Sequence, residues 1–165
     1  MSQSSAREIF DTCLTEWVKR VSDHFGKDLR GVLRFGSTVK DYLKPETDID
    51  MIFIFSQLPQ LRREKYALLS SLEKELEALL KQKLSDHNFV LSPLLRTPED
   101  FKNFSPLYLD MVEHSVIHYD PDGLLRSTLD RTKNWIKKSG AYKVTQGTKW
   151  YWVINPTGND TEIDW

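Results

Sequence analysis

Cysteine is almost missing from this sequence: Cys13 is the single one in 165 residues, so no intrachain disulfide can form. It falls among the apolar positions of a helical pattern, which marks a buried, inert thiol rather than a nucleophile. Long apolar runs are missing too. None approaches the roughly 18 residues of a membrane span, and the start, MSQSSAREIF, has no basic region followed by an apolar core. The expectation is a cytoplasmic protein with no membrane partner. Charge of one sign is also lacking. With 23 basic against 24 acidic side chains the formal net charge is -1, so no global field draws the chain to nucleic acid or anionic lipid, and any such partner must meet a local patch. There is no repeat, linker or low-complexity segment.

What is present reads as one ordinary globular domain, long enough to bury a real core. Ser5-Ala6-Arg7-Glu8 fits a capping box, after which Ile9, Phe10, Cys13, Leu14, Trp17, Val18, Val21 and Phe25 recur at helical spacing up to Gly26. LRGVLRFG reads as a short strand closed by Gly36-Ser37, and DIDMIFIF is the strongest strand signal in the chain. From Pro59 a long segment carries Leu61, Leu68, Leu69, Leu72, Leu76, Leu79 and Leu80 as one helical stripe, which predicts a single long helix. HNFVLSPLLRT is a strand whose Pro93 argues for an edge or a bulge. Thr97-Pro98-Glu99-Asp100 is a helix start, with its acids as helix-end charges.

A short helix about Pro106–Glu113, a strand SVIHYD and a helix from about Asp122 to Lys138, stopped by Gly140, follow. AYKVTQGTKWYWVI reads as a β-hairpin turning at Gln146-Gly147. The expected fold class is α/β or α+β, a mixed sheet flanked by helices. A single domain is expected over 1–154, its core about 5–120 and its C-terminal helix and hairpin about 122–154, before a polar, mobile tail at 155–165.

The second strand holds the chemical signal. Aspartate is depleted in strands, and a buried carboxylate is costly without a partner. Yet Asp48 and Asp50 both head this one. Alternation puts Asp48, Asp50, Ile52 and Ile54 on one face and Ile49, Met51, Phe53 and Phe55 on the other. The two aspartate Cα atoms are then about 6.6 Å apart, close enough for their carboxylates to converge on common cations. Hard oxygen ligands with no cysteine or histidine cluster nearby favour Mg²⁺ or Mn²⁺ over zinc. Gly36 lets backbone amides approach a phosphate closely, and the Ser37 hydroxyl can donate to it. Asp-x-Asp alone, or Gly-Ser alone, is also compatible with an ordinary turn before a strand; their joint placement is far more specific.

FGSTVKDYLKPETDIDMIFIF resembles the signature of the DNA polymerase β-like nucleotidyltransferase superfamily, in its small, minimal branch. The match is strong over Leu29–Phe55. The resemblance implies a nucleotidyltransferase-type mixed sheet, Asp48 and Asp50 as catalytic metal ligands, and Gly36 and Ser37 on the nucleotide's phosphates. Lys40 stands where these proteins often carry a basic residue, while Asp41 stands where glycine often follows. Enzymes of the superfamily use a third carboxylate on a neighbouring strand. Asp86, at the head of HNFVLSPLL and in parity with Asn88, Val90 and Ser92, is the residue offered for it, although a turn before a strand explains Asp86 equally well.

The implied function is metal-dependent transfer of a nucleoside monophosphate from a nucleoside triphosphate to an acceptor hydroxyl, with pyrophosphate released. The acceptor could be a protein, an RNA or a small molecule. The alternative is a catalytically weak nucleotide- or partner-binding module, antitoxin-like or regulatory, with a protein partner. His114 and His118 are spaced like metal ligands on a helix but fall outside one, so structural roles are expected. Arg126, Arg131, Lys133, Lys137, Lys138 and Lys143, with Trp135 and Tyr142 among them, could form a nucleic-acid surface; a solvated helix face is the simpler account. Trp150 and Trp152 share one face of the hairpin and are expected to cover what lies beneath; a base-stacking role is the alternative, which nothing else in the sequence supports.

Overall fold

A computed structural model describes residues 2–40, 43–147 and 149–154. Asp41 and the tail at 155–165 lie outside the described residues. The first helix, α1 (Gln3–Phe25), begins a turn earlier than the capping box at Ser5 predicts. Its N-cap is Ser2, whose Oγ accepts from the Ser5 N–H at 3.2 Å, so Ser5 is the capped donor rather than the cap. Phe10, Leu14, Trp17, Val18 and Val21 form its buried stripe.

Strands β1 (Leu29–Phe35), β2 (Glu46–Phe55), β3 (Asn88–Arg96) and β4 (Ser115–Tyr119) make one sheet in the order β3-β2-β1-β4. β1 runs antiparallel to β2 and to β4, and β2 runs parallel to β3. The parallel pair needs a helical crossover, supplied by α2 (Arg62–Ala67) and α3 (Ser70–Lys83). Sequence periodicity predicts one helix here, and the chain instead turns at Leu68-Leu69. Arg62-Arg63-Glu64-Lys65 has no apolar side to bury, whereas Leu69, Leu72, Leu76 and Leu80 all reach the core, so the second helix follows the stripe alone. β3 is an edge strand, as Pro93 requires.

The alternation in β2 divides the core as expected. Ile49, Met51, Phe53 and Phe55 pack under α1 and α3, and the Trp17 indole locks those helices together by donating to the Leu72 carbonyl at 2.8 Å. Ile52 and Ile54 face the other way, with Leu33, Phe101, Tyr108, Met111 and Leu125. That second layer is built by a 3₁₀ turn (Pro98–Lys102), α4 (Leu107–Glu113) and α5 (Leu124–Ser139). Asp100 closes the capping box by accepting from the Thr97 N–H at 2.7 Å, which accounts for the acids at this start. After Gly140, at φ 68°, the chain forms a separate hairpin of β5 (Tyr142–Gln146) and β6 (Lys149–Val153). No described helix is long and apolar enough to cross a membrane.

Candidate active site

Asp48 and Asp50 lie on one face of β2 at its entry, Asp48 exposed and Asp50 half-buried. The end of β1 delivers the next part. Phe35 is the register partner of Asp50, so the chain leaving β1 turns directly beneath that carboxylate. Gly36 makes the turn at φ 76°, and a Cβ there would lie 2.6 Å from Asp50 Oδ2. Only glycine satisfies both the left-handed backbone and that contact. Residues Gly36–Val39 form a 3₁₀ turn, Lys40 N–H donates to the Ser37 carbonyl at 3.2 Å, and Ser37 itself stays exposed.

The turn is anchored from below. Thr38 is fully buried, and Arg7 of α1 donates to the Lys40 carbonyl. Arg7 also pairs with Asp11 at 2.9 Å, and Asp11 pairs at 2.8 Å with Arg34, a β1 residue only 2% exposed. Arg34 lies over the Phe10 ring as well. Thus the first half of α1 holds the Gly36–Lys40 turn against the sheet through a chain of charge-assisted contacts.

Electrostatically the pair is under-compensated. Burial, and then the neighbouring Asp48, push the Asp50 carboxyl above the ordinary aspartate range, and only a hydrogen bond from the Ser92 hydroxyl opposes them. Two carboxylates so placed could hold a divalent cation, whose charge would offset their mutual repulsion. Magnesium is typically bound through one or two carboxylates with the remaining positions filled by water and substrate phosphates, and one exposed and one half-buried carboxylate beside a glycine turn fit that habit.

The third carboxylate expected at Asp86 is not brought to the pair. Asp86 is exposed in the turn before β3 and lines a separate hollow with Pro45, Glu46, Lys74 and Glu77. The parallel register puts Val90 beside Asp48 and Ser92 beside Asp50. Asp86 stands four residues before Val90, in the turn that precedes the strand. Among the described residues no three His, Cys, Asp or Glu side chains group as a metal site.

Lys40 lies over the Trp150 ring, its Nζ 5.9 Å from the ring centre. His114 caps α4 and His118 sits in β4 beside Arg34, apart from any metal group among the described residues. Arg126, Arg131 and Lys138 line a shallow groove on α5 whose Trp135 is buried and turned inward with Leu109 and Ala141. Arg126, Lys133, Lys137 and Lys138 are exposed on this helix, while Arg131 donates to the Phe101 carbonyl at 2.6 Å. Two neighbours of the candidate site are not legible in the sequence: Ser92 stands beside Asp50 only once the β2–β3 register is known, and Trp150 meets Lys40 only once the hairpin is docked.

A model of the nucleotidyltransferase domain matches residues 14–122 of this chain. The chain is also similar to a Methanocaldococcus jannaschii protein named "Putative protein adenylyltransferase MJ1305", 24% identical over 145 residues, which cover 87% of this chain and 94% of that one. Among solved structures, one similar chain belongs to a complex of tri-AMPylated Shewanella oneidensis HEPN toxin with MNT antitoxin, with 15% identity, 84% of this chain and 93% of that chain covered, and a TM-score of 0.35. Another is the spectinomycin adenyltransferase AAD(9) of Enterococcus with ATP and spectinomycin, at 13% identity, 74% and 66% coverage and a TM-score of 0.41.

Proposed function

The chain belongs to the nucleotidyltransferase domain family, and from that premise we propose that it transfers AMP from ATP to a protein hydroxyl, releasing pyrophosphate, with Mg²⁺ or Mn²⁺ held by Asp48 and Asp50. The observation that carries this reading is the contact of Gly36 with Asp50, a bare Cα pressed against a carboxylate that has a second carboxylate beside it. A turn that served only to reverse the chain would have no reason to leave that space for an acid. Adenylyl transfer and a protein acceptor are supported by the name of the archaeal relative, which aligns over nearly its whole length.

Each residue then has a task. Asp48 and Asp50 hold the cation, which when bound supplies positive charge to the phosphates. The amides of the Gly36–Val39 turn and the Ser37 hydroxyl donate to phosphate oxygens and fix their direction. Lys40 stands at the outer end of the turn, where its ammonium can swing to the triphosphate. Val90 and Ser92 occupy the β3 positions from which a third acid would take the acceptor's proton. Lacking a general base typically costs about 10² to 10⁴ in rate, so turnover is expected to be slow.

That same vacancy of acid on β3 favours a second reading, a nucleotide-binding module that acts through a protein partner with little or no turnover. Incubation with α-labelled ATP, Mg²⁺ and cell extract is expected to label a protease-sensitive acceptor, and Asp48→Ala with Asp50→Ala to abolish it. Mg²⁺-dependent ATP binding by calorimetry without any labelled product would favour the second reading. A protein that binds no nucleotide at all would sink both.

A further inference from the structure

We infer that the C-terminal hairpin completes the nucleotide site and that Trp150 is the platform on which the donor's base stacks, an inference that rests on the nucleotide-binding reading above. The hairpin lies beyond residue 122, where the match to the family domain ends. Two separate links bring it to the end of the sheet where the carboxylates are. Lys143 of β5 pairs with Glu113 at 2.5 Å, and Glu113 closes α4 just before Ser115, the register partner of Phe35. From the other strand, Trp150 lies under Lys40, the residue that ends the Gly36 turn.

Trp150 is held as a platform would be. Its indole N–H donates to Asp110 Oδ1 at 3.0 Å, and Trp152 donates to the same oxygen at the same distance. The Lys143 ammonium approaches both rings, 5.1 Å from the centre of Trp150 and 5.9 Å from that of Trp152. The ring is therefore fixed in direction on a folded hairpin, yet half of Trp150 remains exposed. An aromatic that served only to pack the hairpin on α4 would bury that surface, as its neighbour Trp152 largely does. Fixing a stacking surface in advance avoids the ordering cost of binding.

The order of contacts along the site follows the order of groups in a nucleoside triphosphate. Phosphates meet Asp48, Asp50, Gly36 and Ser37; Lys40 comes next; the aromatic face lies beyond it. Lys40 resting over that face leaves it for the phosphates when the nucleotide arrives, and the base takes its place against the ring.

Calorimetry in Mg²⁺ with two probes, ATP and inorganic tripolyphosphate, tests this. Trp150→Ala is expected to weaken ATP binding about five- to a hundredfold, the loss of one aromatic–base stack, while tripolyphosphate binds as in the wild type. Trp150→Phe should retain most of the ATP affinity. Undiminished ATP binding by Trp150→Ala would overturn the inference alone. An equal loss for both probes would also overturn it, showing that the hairpin merely supports the turn. If the wild type binds neither probe, the nucleotide-binding reading fails together with it.

Discussion

Gly36 and Asp50 stand so close that a methyl group on the glycine would lie 2.6 Å from the aspartate Oδ2. Gly36→Ala therefore meets two obstacles, the φ of 76° and the carboxylate. The backbone term alone is expected to cost about 1–2 kcal/mol. To relieve the clash Asp50 must swing from its position beside Asp48, so ATP binding in Mg²⁺ should fall further than stability does. Comparing urea midpoints with calorimetric affinity checks this, and an alanine variant with native affinity would contradict the geometry.

Asp50 should also be a site where function opposes stability. Its folded carboxyl is raised by burial and by Asp48, so the folded state holds this proton more tightly than the unfolded chain does. As pH rises from the ordinary aspartate value through the raised one, the folded state loses that advantage and stability declines. Asp50→Asn is accordingly expected to raise Tm at neutral pH, with the gain vanishing in acid below the ordinary aspartate range. Mg²⁺ should raise the wild-type Tm and leave that of Asp50→Asn unchanged. Thermal melts across pH, with and without the ion, read both effects.

The buried Arg34 predicts an asymmetry. Its guanidinium has Asp11 as its ion-pair partner, while Nε and Nη1 have no hydrogen-bond partner among the described residues, and burial lowers its pKa below the usual arginine value. Removing Asp11 strands a buried cation, whereas removing Arg34 leaves a carboxylate that is 43% exposed and still paired with Arg7. Asp11→Ala should cost on the order of 2 kcal/mol, below the usual 3–5 for a buried pair because the acid is partly solvated. Arg34→Met should cost less than about 1 kcal/mol. Chemical denaturation of the two variants tests the order, which is opposite to that expected from side-chain size.

His118 predicts the shape of the acid limb. Burial, then the Arg34 charge, lower its pKa to about 4. The unfolded chain takes up this proton near pH 6.5, well before the folded state does, so stability should fall as pH drops from about 6.5 to about 4, by at most roughly 3 kcal/mol. Denaturant titrations over that window should show the decline, and His118→Phe should flatten it. A variant that declines as steeply as the wild type would place the acid sensitivity elsewhere.

Much of this was readable in advance because it depended on local chemistry. The face alternation of β2, the stop at Gly140, the edge position of Pro93 and the existence of the hairpin each followed from one or two residues and their backbone preferences, although Gln146, expected in the turn, ends β5 and pairs with Lys149. Where the sequence misled, a longer-range preference prevailed. The stripe from Leu61 to Leu80 looked continuous, but the core had room only for the part from Leu69 onward, and the helix broke there. Ser5 fitted a cap, yet Ser2 lay one turn earlier and caps the helix by accepting from the Ser5 N–H itself.

The candidate site divides in the same way. The sequence by itself determined that two carboxylates share a face and that a glycine-serine turn precedes them, because strand alternation and the freedom of glycine are properties of consecutive residues. It could not determine which residues of another strand stand beside them, because a parallel register depends on how the crossover, through α3, packs on the sheet. Only the tertiary structure put Ser92 rather than Asp86 next to Asp50 and brought Trp150 to Lys40. Those contacts join residues 42 and 110 positions apart, and no local rule reaches so far.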